Sequence, residues 1–272
     1  MKKLSKFILV VLSALLVVSL TACGNGGNGD KVVKVGISSS DADIWKVVKD
    51  KVKKEGIDLQ IVQFNDYNQP NTALSQGQVD INAYQHQYFL DAWNKAHKTD
   101  IVRIGDTIFQ PMAIYSNKFK SIDKITKGSE VALPNDVSNQ GRALQLLQSA
   151  GLIKVKDVKI PSTKDVTENK LNLKFTPLDA NQTARSLNDV GISVVNGNVA
   201  SDAKLDTDKA LYTEKVTAKS QPYVNFIATN KKDKDNKTYK KIVKAFQTKE
   251  VGKEIKKVYG KNVILAWEDK IK

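Results

Sequence analysis

Two α/β lobes facing each other across a cleft are the fold this 272-residue sequence predicts. Three observations carry the expectation. Short β-rich runs alternate with helical periods from residue 32 onward. A second alternation of the same kind begins near residue 115. After "QPYVNFIAT" (residues 221–229) the chain closes with two helical segments. Packing those helices back on the first lobe requires two crossings, near residues 112–117 and 221–226. The lobes are therefore expected as 32–114 plus 224–272 and as 115–223.

The elements follow in order. "VVKVGI" (32–37) is a short strand, and "DADIWKVVKDKVKKEG" sets Ile44, Val47, Val48 and Val52 at helical spacing before Gly56 stops the helix. "IDLQIVQF" (57–64) alternates as a strand, and a helix around Ala73 has Pro70 near its start. "VDINAY" (79–84) is a third strand and "YFLDAWNKAHK" (88–98) a helix. Such alternation predicts a mostly parallel sheet. In the second lobe "SEVALP" (129–134), "NLKFTPL" (172–178) and "VGISVVN" (190–196) read as strands. Between them lie the helix "SNQGRALQLLQSAG" (138–151), with Ser138 as N-cap and Gly151 as terminator, and the shorter "NQTARSLND" (181–189). The closing helices run around Tyr239–Gln247 and Glu250–Val258.

The N-terminal "MKKLSKFILVVLSALLVVSLTACGN" lies ahead of both lobes. Lys2, Lys3 and Lys6 precede an apolar or small-residue run of 14 residues, Phe7 to Leu20. A bilayer-spanning helix needs roughly 20. A basic start, a short apolar core and small residues make a secretory signal peptide, residues 1–22. Leu20-Thr21-Ala22-Cys23 reads as a lipobox, so Cys23, the only cysteine of the chain, becomes a lipidated N-terminus. No thiol then remains for a disulfide, catalysis or metal binding. "GNGGNGDK" (24–31) follows as a flexible tether with a reach of roughly 16 Å. The expected location is the extracytoplasmic face of the cell membrane, held by lipid.

Formal net charge is +14, or +11 without the three signal lysines. The lysines are spread along the chain, and the densest run, "KKDKDNKTYKK" (231–241), is broken by Asp233 and Asp235. Nucleic-acid binding is not indicated; attraction to an anionic membrane surface is the natural consequence. There is no Gly-x-Ser-x-Gly, and the only histidines, His86 and His97, sit on separate turns with no carboxylate cluster. An enzyme, a cofactor and a metal site are therefore not expected. Capture of a small molecule between lobes suits the layout.

Among 43 basic residues only three are arginines, Arg103, Arg142 and Arg185. Counted from Ser138, Arg142 stands at the fourth helical position, where the helix dipole disfavours a cation. With the free N–H groups of that helix start it makes an anion site, and a carboxylate in its planar fork explains why lysine would not serve. An ion pair within the protein is the alternative reading. His86, in "DINAYQHQYFLDAW", falls just past a predicted strand end beside Tyr84, Tyr88 and Phe89; alone, such a histidine is more often structural than a ligand contact. Tyr67 in "FNDYNQPN" and Asn196 in "VVNGNVA" also fall at strand ends. Aromatics from one lobe with arginine and asparagine from the other suit a zwitterionic amino acid with an apolar side chain.

"DYNQPNTAL", "DINAYQHQYFLDAW", "VALPNDVSNQGRALQLLQSAGLI" and "QPYVN", in that order and spacing, resemble the methionine-binding lipoproteins (the NlpA lipoproteins). The resemblance covers essentially the whole mature chain. It implies a type II periplasmic-binding-protein fold closing on L- or D-methionine, and docking on the permease of an ABC importer driven by a cytoplasmic ATPase. It further implies that Arg142 grips the ligand carboxylate and that Asn139 and Asn196 serve the polar end. Tyr67, Tyr84, His86 and Phe89 would line the side-chain pocket, with Asn225 added near the second crossing. A monomer is expected. A methionine-containing dipeptide or another apolar amino acid is the alternative cargo. A surface adhesin or structural lipoprotein, needing no pocket, is the alternative of another class.

Overall fold

The computed structural model describes residues 31–269 and 271. The expected signal peptide, the lipidated Cys23 and the tether up to residue 30 lie outside the described residues. The chain begins with β1 (Lys31–Ser38), α1 (Ala42–Lys53), β2 (Ile57–Phe64), α2 (Gln69–Ser75), β3 (Ile81–His86), α3 (Gln87–His97) and β4 (Ile101–Asp106). Helix α1 buries Ile44, Trp45, Val48 and Val52, a stripe of helical period, and the turn after it places Gly56 at φ +70°, the left-handed region that glycine enters freely. Short β5 (Ile108–Phe109) leads to β6 (Ala113–Tyr115).

The second lobe continues with β7 (Glu130–Pro134), α4 (Val137–Ser149), β8 (Lys154–Val155), β9 (Val166–Glu168), β10 (Lys174–Leu178), α5 (Ala180–Thr183), β11 (Ile192–Val195), α6 (Gly197–Asp202) and β12 (Tyr212–Thr213). The chain then returns through β13 (Asn225–Asn230), α7 (Lys237–Phe246), α8 (Lys249–Tyr259) and β14 (Ile264–Leu265).

Two five-stranded sheets organise the lobes, in the orders β2-β1-β3-β13-β4 and β10-β7-β11-β6-β12. In the first, β1, β3 and β4 share one direction, as a mostly parallel sheet requires, and β13 is reversed among them. β1 and β3 run parallel, but β13 is antiparallel to both its neighbours, pairing Asn225 with His86 and Phe226 with Asp106. The reason is the route of the chain. A parallel strand needs a crossover within its own sheet; β13 instead arrives from the other lobe, starting where β3 ends, and runs away from the cleft. The second sheet is likewise mixed, β7 being parallel to β10 and β11 while β6 is antiparallel to β11 and β12. Because β6 hydrogen-bonds into this second sheet, the first crossing is complete by residue 113, two residues ahead of the expected boundary at 115. The second crossing runs through the 3₁₀ segment Ala218–Tyr223.

Both C-terminal helices return to the first lobe. Trp45 meets Phe246 at 5.2 Å between ring centroids, and Val251 and Ile255 of α8 join the same core. The second lobe has its own core of Met112, Ile114, Val131, Leu133, Leu144 and Leu147 among others. β14 pairs antiparallel with β5 and ties the C-terminal segment to the first crossing. The described residues from 32 onward form one compact unit, with the lobes in contact along the cleft.

Candidate functional site

Strand ends of the first lobe supply one wall of the cleft. His86 closes β3 and caps α3, its Nδ1 accepting the Phe89 N–H at 3.2 Å. Nδ1 is thereby an acceptor, which leaves the proton on Nε2, 3.3 Å from Asn139 Oδ1. Burial, with the Arg142 charge second, pushes the His86 pKa down to about 3, so the ring is a neutral donor at physiological pH. Tyr67, Tyr84 and Phe89 stand as an aromatic corner with centroids 5.8 to 6.1 Å apart, two of the three pairs edge to face. The Tyr84 hydroxyl donates to the Tyr67 carbonyl at 3.0 Å, and Asn225 Nδ2 donates to the Tyr84 carbonyl at 3.3 Å. Burial holds both tyrosine hydroxyls well above their ordinary pKa, so they remain protonated.

The second lobe answers with α4 and the N-terminus of α6. The cap of α4 is Asp136, not Ser138: its carboxylate accepts the Asn139 N–H at 2.9 Å and the Ser138 hydroxyl at 2.8 Å. Two changes follow. Arg142 sits at the sixth helical position instead of the fourth, and a carboxylate already occupies the helix start, so the free N–H groups do not make the anion site. Asp136 also accepts both bonds from Asn139 Nδ2, at 3.0 and 3.2 Å. That fixes Asn139 with Oδ1 toward the cleft, where it accepts Asn196 Nδ2 at 2.8 Å. Asn196 Oδ1 is left buried without a partner.

Arg142 is 5 % exposed, and its fork is already filled. Glu214 takes it, with Nε 3.0 Å from Oε1 and Nη2 2.5 Å from Oε2, and the Gln110 carbonyl accepts a further Nη2 bond at 2.9 Å. The ion-pair alternative therefore holds for the Nε–Nη2 edge. Nη1 remains, with the guanidinium centred 5.2 Å from the Phe109 ring and 4.6 Å from the Tyr223 ring.

All eight residues singled out from sequence line one cavity between the lobes, together with Gln85, Gln110, Gly197 and Asn198. Tyr67, Tyr84, His86, Phe89 and Asn225 come from the first lobe; Asn139, Arg142 and Asn196 come from the second. Tyr88 is not in the wall; it packs on Tyr223 at 5.2 Å. Asn196 Oδ1 gives the cavity wall one unspent acceptor, while the Gln110 amide lies against the Tyr259 hydroxyl. Buried polar atoms of this kind are costly unless something meets them. Sequence reading missed Asn198, although it stands two residues past Asn196; it accepts the Tyr67 hydroxyl at 2.6 Å. Gln110 lies in the first crossing, and Glu214 is 72 residues from Arg142 with no local signal. Among the described residues no group of three or more His, Cys, Asp or Glu side chains is placed to hold a metal.

A sequence model of the NlpA lipoprotein family matches residues 33–267. The D-methionine-binding lipoprotein MetQ of Escherichia coli is 40 % identical over 256 residues, covering 92 % of this chain and 93 % of that protein. A nutrient-binding protein from Burkholderia cenocepacia, solved bound to methionine, is 41 % identical with a TM-score of 0.82, over 86 % of this chain and 99 % of the other. The substrate-binding protein of a methionine transporter from Streptococcus pneumoniae is 38 % identical with a TM-score of 0.82, over 87 % and 96 %.

Proposed function

Because this chain belongs to the NlpA lipoprotein family, we propose that it is the substrate-binding component of an ABC importer and captures methionine between its lobes. The observation that carries the reading is the interlobe cavity with the open Nη1 edge of Arg142 and the unpartnered Asn196 Oδ1. A zwitterionic amino acid satisfies both. Its carboxylate accepts from Arg142 Nη1, and its ammonium donates to Asn196 Oδ1. Asn139 acts one step back, holding Asn196, and His86 holds Asn139. The side chain lies against Tyr67, Tyr84 and Phe89, where a thioether finds aromatic edges.

The magnitudes suffice. A charge-assisted hydrogen bond contributes about 1.5–3 kcal/mol and a buried methionine side chain about 1.5–3 kcal/mol. Micromolar affinity needs only about −8 kcal/mol. The chemistry is binding and release, not turnover, and the partners are a membrane permease and its ATPase. Lipidation at Cys23 would keep the protein at the membrane, within the tether's reach of that permease.

The test is a thermal-shift and calorimetric screen of residues 24–272 against L- and D-amino acids and methionine-containing dipeptides, since a ligand that binds only the folded state raises its melting temperature. Stabilisation by methionine is expected. A response confined to a dipeptide or another amino acid would reassign the cargo, and no response to any zwitterion would leave the adhesin reading standing.

A further inference from the structure

Glu214 is the nearest charged partner of the one charged side chain in the cavity wall. Of the twelve lining residues Arg142 alone carries a formal charge, His86 being neutral. Glu214 holds it from behind. Its carboxylate spans Nε and Nη2 and also accepts the Met112 backbone N–H at 2.9 Å, and its side chain is 15 % exposed. With Gln110 O on the second Nη2 hydrogen, every N–H of the guanidinium is spent except the two on Nη1. The wall therefore presents a hydrogen-bond donor of positive character while the Arg142–Glu214 pair as a whole adds no net charge.

We propose that Glu214 is a specificity-determining residue: by cancelling the Arg142 charge it makes the site accept a zwitterion and reject the corresponding anion. The inference rests on the functional reading above. A ligand with both carboxylate and ammonium enters a neutral pair as a neutral whole. A ligand stripped of its ammonium brings a negative charge to within one guanidinium of the Glu214 carboxylate, and leaves Asn196 Oδ1 unpartnered as well. Discrimination then comes from an unfavourable charge balance built against the wrong ligand, as much as from contacts with the right one. Nothing else in the wall supplies it; the remaining polar residues are amides, phenols and the neutral imidazole.

The experiment compares three ligands of one shape by calorimetry: L-methionine, its des-amino analogue 4-(methylthio)butanoate, and cationic methioninamide. Wild-type protein should prefer methionine over both. In Glu214→Gln, preference for methionine over the anion should shrink by about tenfold or more, while preference over the cation grows. Glu214→Asp, which keeps the charge, should retain the wild-type order. Glu214→Met removes the charge without adding an amide and is the second variant if Glu214→Gln does not fold. A merely structural role would weaken all three ligands alike, so opposite shifts for anion and cation are the diagnostic result. The role of Glu214 is overturned if wild type binds methionine and the ratios stay unchanged in a folded charge-removing variant. It is equally overturned if wild type binds the anion as tightly as methionine. A wild type that binds no zwitterion overturns the functional reading itself.

Discussion

His86 and Asp41 are pushed in opposite directions by one force, the loss of solvent. Burial lowers the His86 pKa to about 3 from 6.5, because an imidazolium in the cleft would lose its solvation and also face the Arg142 charge. Burial raises Asp41 to about 7 from 3.8; the Tyr259 hydroxyl, 2.6 Å from its carboxylate, pulls the other way, and Asp202 of the second lobe adds to the rise. The signs follow from which state holds more protons. As pH falls below 6.5 the unfolded chain protonates His86 before the folded one does, so stability is lost down to about pH 3. Asp41 does the reverse: its contribution is whole below pH 3.8 and is lost as pH rises to about 7. The two slopes oppose each other through the weakly acidic range. Asp41→Asn keeps an oxygen for Tyr259 and removes only the second. Its melting temperature should exceed wild type at pH 8 and match it near pH 3.5. The gain at pH 8 should be at most about 2 kcal/mol, since Asp41 keeps part of its surface in water. A variant no more stable at pH 8 would show that the Asp41 carboxyl is well solvated.

Helix α4 shows how one cap serves two ends. Asp136 satisfies the Asn139 N–H as any capping residue would, and its second oxygen grips the Asn139 side chain. The grip passes to Asn196 and leaves Asn196 Oδ1 facing no protein partner. Asp136→Asn separates the functions. Asparagine caps as well as aspartate, so helix stability should hold to within a few tenths of a kcal/mol. A single acceptor oxygen cannot also take both Asn139 bonds, so methionine affinity should fall several-fold. Thermal melts with calorimetry read both; equal affinity would detach Asp136 from the site. Sequence could not choose this cap, since Asp136 and Ser138 are both capping residues two positions apart. Aspartate prevails because its two oxygens accept from Ser138, the backbone and the Asn139 amide together.

Across the whole molecule, closure is written in a few bonds between lobes: Tyr67 to Asn198 at 2.6 Å, Asn181 to the Asn65 carbonyl at 2.7 Å and His86 to Asn139 at 3.3 Å. Next to Asn198, one backbone approach is close. A Cβ on Gly197 would stand 2.7 Å from Gln110 Cβ and 3.1 Å from the Pro111 carbonyl, so α6 meets the first crossing only because residue 197 has no side chain. Gly197→Ala leaves each lobe's core untouched but strains the seat of α6 on the first crossing and so the position of Asn198, a clash of the kind that costs about 1–3 kcal/mol. The variant should stay folded, bind methionine at least about tenfold more weakly, and show a larger radius of gyration with ligand by small-angle scattering. Unchanged affinity and size would mean that closure absorbs the extra atom elsewhere.

Periodicity was enough to place β1–β3, β7, β10, β11 and the helices α1–α4, α7 and α8, but not β4, the short strands or α6. Apolar residues at helical spacing in α1, alternation in β2 and the glycines at 56 and 151, both at positive φ, are local properties, and local sequence contains them. The candidate residues were legible for a related reason: strand ends and helix starts border the cleft in such a fold, and Tyr67, His86, Arg142 and Asn196 all fall there. Pairing over distance was not legible. The antiparallel seat of β13 depends on the chain's return from the other lobe, and the filled fork of Arg142 depends on a glutamate 72 residues away. Composition cannot say which carboxylate meets which guanidinium. Only packing brings Glu214, Gln110 and Arg142 together, and it is their shared geometry, with one edge spent and one left open, that decides what the arginine can hold.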